Sequence, residues 1–346
     1  MLFLAKKICG TVLFGGGLVF ALVFLGVLFN PEKASTVGFN FTEFKQEKQP
    51  IDIMFFGSSF MYCSFSPMEA WKAAGLTSYV AAGPEQGLNV TCALMEEIFK
   101  YSRPRCVVLE LRGLSFETAG EKPSAEYYSP GEGRINGWYD KLSQAASGKK
   151  IADGNYFYDF FTFHNRWKEL TAKDFEQVYQ ALKSRLSPSF YKGYVPLLGT
   201  RGTIEVYDDD IPEPNKFFAQ NLRWLEQIKA MCAGIGAEAV FLVTPSANVN
   251  YFDRYLEEVA ELYPDTRIVD LNARLADIGF DLSRDMYDGG HPNFDGAVKC
   301  TRYLVEYLKF LGLKDNRATL EYSQWNKQLA LYEKAMSEIK QSGGNG

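Results

Sequence analysis

Histidine is the scarcest reactive residue type in this 346-residue chain, which has only His164 and His291. Any chemistry that needs an imidazole base is therefore confined to two positions. Also missing is a basic run or a cluster of Lys and Arg interleaved with aromatics. With a formal net charge of -5, this argues against nucleic acid as a partner. The six cysteines (Cys9, Cys63, Cys92, Cys106, Cys232, Cys300) are scattered, with neither metal-ligand spacing nor the dense, even spacing of a disulfide scaffold. Most sit in apolar stretches and are expected to be buried thiols acting as small hydrophobes. No metal site and no cofactor is expected, and no internal repeat is present.

Charge is missing again between Lys7 and Glu32, where an almost uninterrupted apolar run extends from Ile8 to Phe29. About 20 apolar residues suffice to cross a bilayer as a helix. The run exceeds the roughly 7–15 residues of a signal h-region, and no Ala-x-Ala-like site follows it. The reading is an uncleaved transmembrane anchor over 1–30, with a cleaved leader as the alternative. Lys6 and Lys7 on its N-terminal flank keep that end cytoplasmic and place the body outside. Residues 31–50 read as a linker.

From Ile51 the pattern becomes α/β. Apolar runs closed by Gly or Pro read as buried parallel strands, at Ile51–Phe56, Ser78–Ala82, Cys106–Leu111, Ala239–Val243 and Arg267–Leu271. Helical periodicity falls between them, around Pro67–Ala74, Leu88–Tyr101, Lys216–Ala233, Phe252–Leu262 and Asp295–Leu311. This alternation predicts a parallel five-stranded sheet with helices on both faces, a three-layer α/β/α sandwich over 51–313. An aromatic-rich insertion over 114–215 breaks the pattern. It reads either as a cap over the carboxyl edge of the sheet or as a satellite core. In the tail, 314–346, the residues Tyr322, Trp325, Leu329, Tyr332, Met336 and Ile339 form an amphipathic helical stripe. The stripe either packs on the domain's own flank or meets a partner or membrane surface.

The stretch that organises the chain is Ile51 to Pro67, where the first strand ends at Gly57-Ser58-Ser59. In open α/β sheets the carboxyl ends of the strands form the ligand crevice, so a serine there faces a cleft. A serine hydroxyl needs a neighbouring base, and the base needs a third group to hold its tautomer and stabilise its charged form. His291 lies on the loop after the last strand, in Tyr287-Asp288-Gly289-Gly290-His291-Pro292-Asn293, with Asp288 three residues before it on a Gly-rich turn. Ser59, His291 and Asp288 can supply the three roles. The structural alternatives are that Ser58 and Ser59 cap a helix and that Asp288 with Pro292 marks a helix start.

These residues carry a resemblance. Gly57-Ser58-Ser59 after the first strand, Gly83 after the second and Asp288-x-x-His291 near the end resemble blocks of the SGNH (GDSL-like) hydrolase superfamily. Gly83 with Gln86, the His291-Pro292-Asn293-x-x-Gly296 continuation and the anchor narrow it further. They are similar to anchored extracytoplasmic members that work beside membrane-bound O-acyltransferases in D-alanylation or O-acetylation of envelope polymers. The resemblance implies Ser59 as nucleophile, His291 as base, Asp288 as its orienter, and the backbone N–H groups of Ser59 and Gly83 as oxyanion donors. It implies acyl transfer, acetyl or D-alanyl, on a cell-envelope glycopolymer, with a membrane-bound O-acyltransferase as a partner. A plain carbohydrate or lipid esterase and a non-catalytic docking subunit are the alternatives. Ser58 stands where the superfamily's name has Asp. The third block, usually Gly-x-Asn-Asp, is here Leu109-Glu110-Leu111-Arg112-Gly113. Either Arg112 or Gln86 then replaces the missing Asn donor, or the oxyanion hole is incomplete. The resemblance also marks His164 and Arg166 as candidates for substrate binding, against a reading of His164 as a hydrogen-bonded packing residue.

Overall fold

A computed structural model describes residues 39, 41–117, 189–207 and 211–343, with isolated positions in 14–28 and 168–175. Most of the anchor run, most of the insertion, His164 and Arg166 lie outside the described residues. No helix among the described residues is long and apolar enough to cross a membrane.

In chain order the main elements are α1 (Phe41–Lys45), β1 (Ile53–Gly57), α2 (Ser59–Ser64), α3 (Pro67–Ala74), β2 (Ser78–Ala82) and α4 (Leu88–Ile98). They continue with β3 (Cys106–Glu110), α5 (Phe218–Ile235), β4 (Glu238–Val243), α6 (Asp253–Leu262), β5 (Arg267–Asp270), α7 (Phe294–Tyr307) and α8 (Ser323–Gly343). The five strands form one parallel sheet in the order β2-β1-β3-β4-β5. β1 is flanked by the two strands that follow it, so the chain reverses its winding there. The crevice outside the carboxyl ends of β1 and β3 is the topological switch point of the sheet.

All five residues of β1, β2 and β3 are buried. Successive side chains alternate between faces. Met54, Phe56, Tyr79, Ala81, Val107 and Leu109 join one core with α4, α5 and α6. Ile53, Phe55, Val80, Ala82, Cys106 and Val108 join the other with α2 and much of α7. Burial on both faces explains why the strands read as continuous apolar runs.

Gly57 closes β1 at φ +153, and a Cβ there would lie 2.8 Å from Glu110 Cβ and 3.1 Å from Met61 Cβ. Glycine is therefore required by close approach as well as by its backbone angle. The sequence reading expects the first helix at Pro67, yet α2 begins at Ser59, directly after the strand. Its apolar residues Met61 and Cys63 are buried. It is a short helix that ends at Phe65, in extended backbone before Pro67, too brief for periodicity to reveal.

Residues 190–207 form a strap. Lys192 O accepts from Val80 N–H at the free edge of β2, and Tyr62 O accepts from Val195 N–H. Farther along, Leu197 O accepts from Phe294 N–H, and Arg201 N–H donates to Tyr287 O. The strap thus covers the exposed edge and then runs past the carboxyl end of the sheet. Lys192 is fully buried, paired with Glu47 and 4.3 Å from the Trp325 ring centroid.

The C-terminal stripe packs on the domain's own flank. Trp325 lies 5.3 Å from the Trp71 ring, and Tyr332 shares a hydrogen bond with Ser66 Oγ. Both are 1% exposed. Trp325→Ala should lower the free energy of unfolding by about 3–5 kcal/mol, the usual cost of removing a buried aromatic. Leu331, on the same helix, is 56% exposed. Leu331→Ala should stay within about 0.5 kcal/mol of the parent. Urea titration of the two variants checks the pair of values.

Candidate active site

The site is assembled from two loops at the carboxyl edge of the sheet. Ser58 and Ser59 follow β1 directly. The first turn of a helix leaves its leading N–H groups without intrahelical acceptors, and Ser59 is the first residue of α2. Ser58 is 1% exposed and its hydroxyl has no hydrogen-bond partner among the described residues, whereas Ser59 is partly exposed. The two serines therefore differ in presentation, with Ser59 outward and Ser58 inward.

The opposing loop is held from below. Asn293 Oδ1 caps α7 by accepting from Asp295 N–H and Gly296 N–H, while its Nδ2 donates to Arg284 O and Met286 O. A Cβ on Gly296 would lie 2.2 Å from Asp285 O, so only glycine lets the loop base sit this close to the helix. Above that base, Tyr287 N–H donates to His291 O, closing residues 287–291 into a tight turn.

Within the turn, Asp288 Oδ1 accepts from the backbone N–H groups of Gly290 and His291, each at 2.9 Å. The same carboxylate meets His291 Nδ1 at 2.8 Å, and His291 Nε2 lies 2.9 Å from Ser59 Oγ. The chain of contacts runs Asp288–His291–Ser59. With the carboxylate holding the proton on Nδ1, Nε2 presents its lone pair to the serine hydroxyl. Burial pushes the Asp288 carboxyl up, but the N–H groups of Gly290 and His291 and the adjacent imidazole outweigh that and hold it below its ordinary value. Cys63, also on α2, is 2% exposed, and burial pushes its thiol up, so it stays neutral. A cleft of about 410 Å³ between Phe44–Ile51 and Tyr101–Arg103 lies at the amino end of the sheet and contains none of these residues.

The remaining candidates fall out differently. The pairing of Gly57 with Ala82 sets Gly83 level with Ser58 across the β1–β2 boundary. Gln86 is 1% exposed, and its amide nitrogen donates to Thr91 Oγ1 and Ala81 O, within the fold. Arg112 is 6% exposed; its guanidinium donates to Glu110 Oε1, Thr244 Oγ1 and Thr244 O. Both side chains thus direct these donors at groups inside the fold. Burial pushes the Glu110 carboxyl up to about 7, with Arg112 offsetting only part of the rise.

Three residues at the site escape sequence reasoning. Phe60 stacks on His291 at 5.3 Å between ring centroids, and Glu110 and Thr244 hold Arg112. Glu110 had a readable signal, a carboxylate ending an otherwise apolar strand. Phe60 and Thr244 had none.

A scan against models of protein families matched nothing, and a search of curated proteins also found no match.

Asp288→Asn should remove the acceptor that fixes the imidazole tautomer, so the downfield proton NMR signal of His291 Nδ1–H should be lost. Stability has a definite sign as well. A carboxyl held low contributes fully above its ordinary range, and the contribution is lost as pH falls through the lowered value. The variant should therefore show a shallower acid limb in thermal unfolding between about pH 5 and 2 than the parent, the range where such groups titrate.

Proposed function

We propose that this chain is an SGNH-type serine enzyme that moves an acyl group through an acyl-Ser59 intermediate. The observation that carries the reading is the continuous hydrogen-bonded line from Asp288 through His291 to Ser59 at the switch point of a parallel sheet. The parallel five-stranded sheet with helices on both faces is compatible with the three-layer sandwich that the sequence resemblance implies, which supports the reading.

In this reading Ser59 Oγ attacks the ester carbonyl and its proton passes to His291 Nε2. Asp288 holds the imidazole and stabilises its positive form. The carbonyl oxygen, now an alkoxide, is met by the N–H of Ser59 at the start of α2 and by the N–H of Gly83. As the tetrahedral species collapses, the leaving alcohol takes the proton back from His291. An acceptor hydroxyl then repeats the steps in reverse, losing its proton to His291 as it takes the acyl group from Ser59. Water as acceptor gives hydrolysis; a polymer hydroxyl gives transfer. With the Gln86 amide and the Arg112 guanidinium engaged inside the fold, the site relies on two backbone donors. One oxyanion donor fewer costs about a hundred- to a thousandfold in turnover, which suits an enzyme working on an activated or tethered acyl donor.

The apolar run Ile8–Phe29 with Lys6 and Lys7 supports an anchored, extracytoplasmic placement. The sequence resemblance supports a cell-envelope glycopolymer as acceptor, acetyl or D-alanyl as the acyl group, and a membrane-bound O-acyltransferase as partner.

Mass spectrometry after incubation with an activated ester tests the proposal. An acyl mass on the peptide containing Ser59, absent in Ser59→Ala and in His291→Ala, is expected. Labelling that survives His291→Ala would sink the triad. Labelled acyl groups leaving Ser59 faster for a polymer hydroxyl than for water separate transfer from plain esterase activity.

A further inference from the structure

The hydrogen bond that His291 Nδ1–H donates to Asp288 locates the imidazole along its own plane but tolerates tilt, since such bonds weaken steeply only far from linearity. Something else must hold the plane itself. Phe60 is the next residue after Ser59, on the first turn of α2. Its ring faces the imidazole with centroids 5.3 Å apart and an interplanar angle of 13°. The loop is shaped to allow this: a Cβ on Gly290 would lie 3.0 Å from Phe60 Cε1.

Phe60 is itself backed. The Arg112 guanidinium carbon sits 4.5 Å from the Phe60 ring centroid. That guanidinium is immobilised by Glu110 Oε1 at 2.9 Å, Thr244 Oγ1 at 2.6 Å and Thr244 O at 2.7 Å. The loop ends of β3 and β4 thus brace the ring that the imidazole lies against.

We propose that Phe60 is a positioning residue for His291, a flat plate that fixes the tilt of the imidazole so that Nε2 stays on Ser59 Oγ, with Arg112 bracing the plate. The inference rests on the serine acyl-enzyme reading and assigns Arg112 a place in the site that differs from that of an oxyanion donor. One short helix carries both the hydroxyl and the surface that aims its base. Glu110, Thr244 and Gly290 act through the ring.

The test uses the full-length protein in detergent, with a fluorophosphonate as the Ser59 probe and an activated acetate ester as substrate. Phe60→Leu keeps an apolar side chain but removes the plate. It should slow fluorophosphonate labelling and reduce kcat by about tenfold or more, the scale of modest misplacement of a catalytic group, with KM little changed. Phe60→Tyr keeps the plate and should restore both rates to within about threefold of the parent, well inside that loss. The downfield proton NMR signal of His291 Nδ1–H should broaden or vanish in Phe60→Leu and persist in Phe60→Tyr. Parental rates and an unchanged signal in Phe60→Leu would overturn the proposal, as would Phe60→Tyr failing as badly as Phe60→Leu while thermal unfolding is unchanged. If the parent is never labelled, the acyl-enzyme reading falls; the NMR comparison still decides whether Phe60 holds the imidazole.

Discussion

The contact between Ser59 and His291 joins residues 232 positions apart, and everything described at the carboxyl edge of the sheet exists to hold it at hydrogen-bonding length. A hydrogen bond cannot by itself close a loop of that size, because its net contribution is only about 1 kcal/mol. Two independent rigid bodies bring the groups together instead. β1 delivers Ser59 from a fully buried strand. Asn293 and Gly296 lock the base of the His291 loop onto α7, whose buried face packs beside α2. Once both bodies are seated, the serine–histidine contact follows at little further entropic cost, which is what preorganisation means in physical terms.

The same logic explains the polar density beneath the site. Glu110 and Arg112 are buried ionisable groups beside the apolar core, and such pairs are often no more stable than an apolar replacement. Their hydrogen-bonding groups are shared among one another, Thr244 and the backbone, so the pair is a rigid polar knot linking β3 to β4. A knot of this kind gives up stability for a fixed arrangement at a place where arrangement matters.

Much of this was legible in the sequence because parallel strands buried on both faces leave uninterrupted apolar runs. β2 spans Ser78–Ala82 and α3 spans Pro67–Ala74, both as the runs and the Pro–Gly punctuation predict. Asp288, His291 and Ser59 were legible for a different reason, namely that only two imidazoles were available and one had a carboxylate three residues away. What could not be read arises between segments. The α2 helix is six residues long, shorter than the window in which a 3.6-residue period declares itself. Phe60 looks like any apolar residue until the fold lays it against His291. The engagement of Gln86 by Thr91 depends on a helix turn whose side-chain directions a linear sequence does not record.

The last helix has a bearing on how the molecule comes into being. Trp325 and Tyr332 fill the flank of α3, the element immediately after the one that carries Ser59. A chain made from its N-terminus exposes Ser59 and β1 early, then His291 some two hundred residues later, and the flank closes only after that. During synthesis the hydroxyl is present without its base, and the base arrives before the wall behind α3 is complete. The contact between Ser59 and His291 can therefore form only after residue 291 has been made, and the flank of α3 is covered only once the last helix follows.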